Sequence, residues 1–147
     1  MARCAPGSRR PPPGSAAGVR FLGTVDHAGV AAAMAGCDVF VLPSVPAESG
    51  DQDGLPVVLL EAMAAGCAIV ASSLPGIDAA LVDGHTGLLV PPGDSAALAA
   101  AVSKLLRDGE LRAKLGRAAA EAVDDYSIQA VGDQYVDLLR SLAQASR

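Results

Sequence analysis

The chain has 147 residues, 51% hydrophobic and 18% charged, which is enough apolar material for one domain with a core of its own. Its formal net charge of -5, with few and scattered Lys and Arg, offers no footprint for phosphate backbones or anionic lipid, so nucleic acid is not expected as a partner. No apolar run approaches the roughly 18 residues a transmembrane helix needs, because Gly, Pro or a charge breaks every hydrophobic stretch.

Residues 1–18, MARCAPGSRRPPPGSAAG, combine three Arg with a Pro triplet and read as a disordered tail. They lack the apolar centre of a secretory signal, and so Pro-rich a segment is a poor amphipathic helix of the transit-peptide kind. The remaining residues, 19–147, read as one unit. Val19–Leu22 reads as a short strand, Ala28–Ala35 as a helix, and Asp38–Leu42 as a continuous apolar strand closed by Pro43 and Ser44. The loop from Ser44 to Gly54, rich in Pro, Gly, Ser and acid, is long for a connection in a compact α/β unit.

A helix follows in DGLPVVLLEAMAAG, residues 53–66, with Pro56 suited to its first turn and Gly66 to a left-handed C-cap. Cys67–Ala71 reads as the next buried strand, Gly76–Val82 as a short helix or turn, and Thr86–Val90 as a last strand stopped by Pro91, Pro92 and Gly93. Asp94 stands where an N-cap belongs, ahead of a helix with Leu98, Val102, Leu105 and Leu106 on its apolar face. Leu111, Leu115 and Val123 mark another helix. Val131, Tyr135, Leu138, Leu139 and Leu142 mark a final amphipathic one, whose face must bury against something. Strands apolar along their whole length and separated by helices predict an α/β fold with a parallel sheet covered on both faces.

In such sheets ligands sit at the carboxyl ends of the strands, where loops lead into helix N-termini. The helix that opens near Pro56 occupies that place. Backbone amides around Gly54 to Val58 are donors at the positive end of its dipole, and Gly54 carries no side chain to block an approaching anion. Glu61, a turn into the helix, can accept a pair of hydrogen bonds from a vicinal diol such as ribose. Asp53, just ahead of the helix, can meet hydroxyls of a second ring. Two acids eight positions apart are also what an ordinary solvated helix start carries, so their spacing alone does not choose between these readings.

Other candidates have simpler homes. Glu48 and Asp51 read as solvated loop acids, Ser44 as a turn residue, His27 as a helix-start residue and His85 as a turn residue. Cys4, Cys37 and Cys67 have no CxxC spacing and no histidine companions, so no metal site is predicted; they read as small apolar residues in a reducing, cytoplasmic compartment. There is no GxSxG, GxxxxGK or GxGxxG.

The ordered set FLG (21–23), DVFVLPS (38–44), DGLPVVLLEAMAAG (53–66), AIVAS (68–72) and DGHTGLLVPPGD (83–94) resembles the C-terminal, donor-binding domain of retaining GT-B glycosyltransferases of family four, also called glycosyl transferases group 1. The resemblance covers about residues 19–143. It implies part of a Rossmann-like parallel sheet of about four strands with flanking helices. It also implies a nucleotide-diphosphate-sugar donor held without a metal or further cofactor, and transfer of a hexosyl group with retention of configuration to an acceptor the sequence does not identify.

The paired acids match that family's Glu-x7-Glu motif. By that match Glu61 holds the ribose, Asp53 makes the catalytic donor-sugar contact, and the main chain of Gly54, Leu55, Pro56 and Val57 approaches the sugar and diphosphate. Pro56 itself has no N–H to give. Asp53 is one methylene shorter than the Glu usual there, and GIDAAL at 76–81 replaces a GIPEL-like turn.

The resemblance further implies an acceptor domain and two sheet strands beyond this chain, including the segment whose Arg and Lys meet the diphosphate. Weak donor binding, no transfer by this polypeptide alone, and an N-terminal tail from a truncated or frameshifted gene are the corresponding expectations. Two alternatives stand beside it: a non-catalytic module docking onto a separate chain that supplies the rest, and an independent nucleotide-binding domain.

Overall fold

The computed structural model describes residues 18–19, 21–46 and 54–145. In chain order these form α1 (His27–Ala35), β1 (Val39–Leu42), α2 (Val57–Ala64), β2 (Ala68–Ser72) and α3 (Pro75–Asp78). Then come β3 (Leu88–Val90), α4 (Ser95–Arg107), α5 (Gly109–Ala122), a 3-10 turn (Val123–Tyr126) and α6 (Ile128–Ala145). The strands pair in the order β1-β2-β3, all parallel, with Val39 opposite Ala68 and Val70 opposite Leu88.

Why the strands carry no polar face is visible in β2, where every residue is buried. Ile69 and Ala71 pack with Met34 of α1 and with Leu59 and Met63 of α2, while Ala68 and Val70 pack with Leu105 of α4 and Leu115 of α5. Side chains alternate across a strand, so helices on both faces require apolar residues at consecutive positions. Fully burying a side chain such as Leu59, Met63 or Leu105 contributes roughly 1.5–3 kcal/mol each.

Local signals fix the helix ends. Asp26, Asp94 and Asp108 accept hydrogen bonds from the backbone N–H of Gly29, Ala97 and Leu111, each at 2.9 Å, and so cap α1, α4 and α5. Ser127 Oγ accepts from Ala130 N at 3.2 Å at the head of α6. α2 ends in a Schellman turn: Gly66 has φ +69°, its N–H donates to Met63 O, and the Cys67 N–H donates to Ala62 O. α5 crosses that turn so closely that a Cβ on Gly116 would run into the Gly66 carbonyl. Arg112 links three elements, donating to Leu105 O and Leu106 O at the end of α4 while its other terminal nitrogen lies 3.5 Å from Asp38 Oδ1 beside β1.

The α/β fold with a parallel sheet stands, with three strands among the described residues; of the segment read as a first strand, the described residues Val19, Phe21 and Leu22 lie in none. Val19, Phe21 and Leu22 are half or more exposed, and β-propensity yields a ladder only where a neighbouring strand offers its edge. The apolar face of α6 is not buried by the described residues either: Ile128 is 94% exposed and Leu139 63%.

Candidate functional site

The N-terminus of α2 opens at the carboxyl-terminal edge of the sheet, where β1 runs out at Leu42 and Pro43. Unlike α1, α4, α5 and α6, this helix has no side-chain cap from its N-cap residue: Pro56 stands there with extended backbone (φ -66°, ψ 125°) and accepts from Leu59 N through its carbonyl. Among the described residues, no side chain caps the amides of Val57 and Val58. They point out of the helix at its positive end, which suits an anion.

The side chains around this terminus divide by task. Leu55 and Val58 pack against the core and anchor the turn, whereas Val57 is 70% exposed and Gly54 is exposed. No described atom lies within 4 Å of the place a Cβ on Gly54 would take, and Gly54 does not have positive φ. Neither crowding nor backbone conformation within the described residues demands a glycine there. Glu61 lies four residues beyond Val57, about 6 Å along the helix axis, on the same element and with its side chain 35% exposed. The helix thus presents amides that no described side chain caps and, one turn on, a reachable carboxylate.

Of the residues singled out in the sequence, Gly54, Leu55, Pro56, Val57 and Glu61 are gathered on this one segment. Asp53, Glu48 and Asp51 lie outside the described residues. His27 does stand at a helix start, but its Nδ1 is also 3.8 Å from Glu61 Oε1, with the imidazole almost fully exposed. Reading the sequence alone missed that proximity. Asp26 is the local signal that sets where α1 begins, yet nothing local says that α1 lies beside α2.

His85 sits in a tight turn whose groups serve each other. Thr86 Oγ1 accepts from Val82 N at 2.8 Å, Gly84 N donates to Gly87 O, and Asp83 Oδ1 accepts from Leu89 N at 2.9 Å. The DGHTG motif is thereby accounted for as the structure that launches β3.

A hollow of about 160 Å³, lined by Pro43, Ser72, Val90, Pro91, Asp94 and Leu98 among others, lies where all three strands end. Pockets for drug-sized ligands span roughly 300–1,000 Å³, so this one is a fraction of a nucleotide-sized cleft. A larger hollow of about 440 Å³ opens between the DGHTG turn and α5. It borders the entrance to β3 rather than the strand exits, so size does not select the site. Among the described residues no group of three or more His, Cys, Asp or Glu is placed to hold a metal ion, and no helix is long and apolar enough to cross a membrane.

Comparison with known proteins gives this geometry a setting. The family model described as "Glycosyl transferases group 1" matches residues 7–108. Over 125 residues the chain is 46% identical to a phosphatidyl-myo-inositol mannosyltransferase of Mycobacterium leprae, covering 85% of this chain and 32% of that protein.

Among solved structures, sucrose-phosphate synthase from Thermosynechococcus elongatus superposes with a TM-score of 0.70 at 33% identity, over 86% of this chain and 30% of that one. Anabaena HepE in complex with UDP and glucose gives 0.69 at 26% identity, over 83% and 32%. A second structure of HepE holds UDP-glucose; it gives 0.63 at 25% identity, over 74% and 29%. The chain therefore spans about a third of the length of each of these relatives. Their Rossmann-like GT-B architecture is the setting of its parallel sheet.

Proposed function

The chain belongs to the glycosyl transferases group 1 family, and from that premise we propose that it is the donor-binding part of a retaining hexosyltransferase that uses a nucleotide-diphosphate sugar. The observation that carries this reading is the α2 N-terminus: amides that no described side chain caps, with Glu61 a turn further on and accessible. A diphosphate would rest against the amides of Val57 and Val58 and the open approach at Gly54. Glu61 would accept two hydrogen bonds from the ribose diol, charge-assisted and therefore about twice as strong as neutral ones. Asp53, eight residues earlier and matching the first acid of the family motif, would contact the donor sugar.

Helix-terminus amides offset only part of a diphosphate's charge, each end contributing about 0.3–1 kcal/mol at the surface. Donor binding by this chain is accordingly weak, and closure of the cleft against water requires surface that these residues do not supply. HepE is seen with UDP and with UDP-glucose, which makes UDP and its sugars the first probes.

The test is a thermal-shift panel of UDP, GDP and their sugars on the wild type and on Glu61→Ala. Stabilisation of the wild type by a nucleotide, absent in the variant, supports the assignment. An equal response in both proteins removes Glu61 from the site.

A second reading is favoured by α6, whose exposed Ile128, Tyr135 and Leu139 form an apolar face. In this reading the chain is a module docking onto a separate chain that supplies the remaining domain and the acceptor. Co-purification with such a partner, and transfer only in the complex, would distinguish it from an independent nucleotide-binding domain.

A further inference from the structure

Cys37 and Cys67 are thirty residues apart in sequence, yet their Sγ atoms lie 3.5 Å apart, in hydrogen-bond contact. They stand at equivalent places in the fold: Cys37 between the end of α1 and β1, Cys67 between the end of α2 and β2. The two differ in freedom. Cys67 is 3% exposed, its thiol lies 3.5 Å from Met34 O, and its backbone closes the Schellman turn of α2, so it is held from three directions. Cys37 packs against the core but is only half-buried and sits outside any helix or strand, so it is the more accessible of the two to reagents.

We infer that Cys37 and Cys67 are a thiol–disulfide site, closing reversibly to tie the exit of α1 to the exit of α2. A disulfide needs its sulfurs about 2.05 Å apart, so they must approach by about 1.5 Å, a movement that falls chiefly to the half-buried Cys37. The oxidant class is a low-molecular-weight disulfide, RSSR. The Cys37 thiolate attacks one of its sulfurs, forming a mixed disulfide and expelling RS⁻; the Cys67 thiolate then attacks the Cys37 sulfur and expels the second RS⁻. In sum, two protein thiols and RSSR become one intramolecular disulfide and two RSH, with both thiol protons passing to the leaving thiolates.

The second step sets the pace. Burial, with the neighbouring Cys37 adding to it, pushes the Cys67 thiol up to about 12, so little thiolate is present at neutral pH and closure accelerates as pH rises. The order of attack follows from access: the half-buried Cys37 meets the reagent first. The tie lies at the exits of α1 and α2, while His27 at the start of α1 faces Glu61 in the middle of α2. Closing it therefore clamps the pair of helices without occupying the ligand edge, and the inference stands independently of the nucleotide reading.

The experiment uses the full chain carrying Cys4→Ser, treated with oxidised glutathione at pH 8 and followed by intact mass, thiol count and thermal midpoint. The expected result is loss of two hydrogen masses, loss of both titratable thiols, a higher midpoint, and full reversal by a dithiol reductant. Cleavage after Glu48 and Glu61 separates the two cysteines and should leave their peptides joined. Adding Cys67→Ser should instead trap a glutathione adduct on Cys37, and adding Cys37→Ser should leave Cys67 largely unmodified. A wild-type pair that stops at a glutathione adduct, or keeps both thiols while Cys37→Ser shows the protein folded and Cys67 equally inert, overturns the proposal.

Discussion

His27 Nδ1 lies 3.8 Å from Glu61 Oε1, joining the first residue of α1 to the middle of α2 across the edge where the strands end. The imidazole is 99% exposed, so this contact adds little to stability; its importance lies in where it places a ring beside the carboxylate. If Glu61 holds a ribose, His27 borders the same ligand. His27→Ala should leave the thermal midpoint of the free protein unchanged while reducing the nucleotide-induced shift, corresponding to a few-fold loss of affinity by calorimetry. A fall in the free protein's midpoint with an unchanged nucleotide response would make the contact purely structural.

Glu61→Ala separates binding from folding more sharply. Alanine is at least as good a helix former as Glu, and the replaced carboxylate has no hydrogen bond to the protein among those described. Stability should stay within about 0.5 kcal/mol of wild type. Nucleotide affinity should fall by about a hundredfold or more, since two charge-assisted hydrogen bonds are lost, each worth roughly 1.5–3 kcal/mol. Glu61→Gln, which keeps one acceptor oxygen and loses the charge, should fall between the two. Titration calorimetry with UDP and GDP reads all three.

How much of this was legible beforehand follows from the range of each interaction. Asp94 as an N-cap and Gly66 as a left-handed C-cap act within a few residues, and both stand where the sequence places them. The continuous apolar runs of β1 and β2 likewise announced a sheet covered on both faces. Val19–Leu22 has the same local character but no described strand beside it, and pairing is a property of two segments. The same holds at the candidate site: the loop-to-helix pattern of residues 54–61 is local, whereas the meeting of His27 with Glu61, of Cys37 with Cys67 and of Gly116 with Gly66 depends on helices that only the folded sheet brings together.

Glycine offers a test of that packing. Gly116 is buried in α5 against the Gly66 turn, and a methyl group there would collide with backbone that cannot step aside without distorting the cap of α2. Gly132 in α6 has nothing within 4 Å of an added Cβ. In a helix Ala exceeds Gly by about 1 kcal/mol, so Gly132→Ala should stabilise by roughly 0.5–1 kcal/mol if α6 contributes to the cooperative unit. Gly116→Ala gains the same propensity yet suffers overpacking that typically costs 1–3 kcal/mol, made worse by backbone contact, and should be net destabilising by about 2 kcal/mol. Urea unfolding of the two variants beside wild type would show opposite displacements of the midpoint. A stabilised Gly116→Ala would mean that α5 does not rest on the α2 cap.

Cys67 gives the protein a predictable response to alkali. Burial raises its thiol from an ordinary value of 9.0 to about 12, with the hydrogen bond and charge of Cys37 adding to the same direction. Below about pH 9 the thiol is protonated in both folded and unfolded chains, and its contribution is fully present. Between pH 9 and 12 the unfolded chain releases that proton while the native protein keeps it, so the unfolded state binds fewer protons and stability falls as pH rises. The effect is read as a difference between wild type and variant. Under reducing conditions Cys67→Ala should be less stable than wild type at pH 7, because a buried side chain is trimmed, but its stability should decline less steeply from pH 8.5 to 10.5. Urea midpoints at intervals across that range would reveal the convergence, and parallel declines would show that Cys67 ionises as readily in the native protein as in the unfolded one.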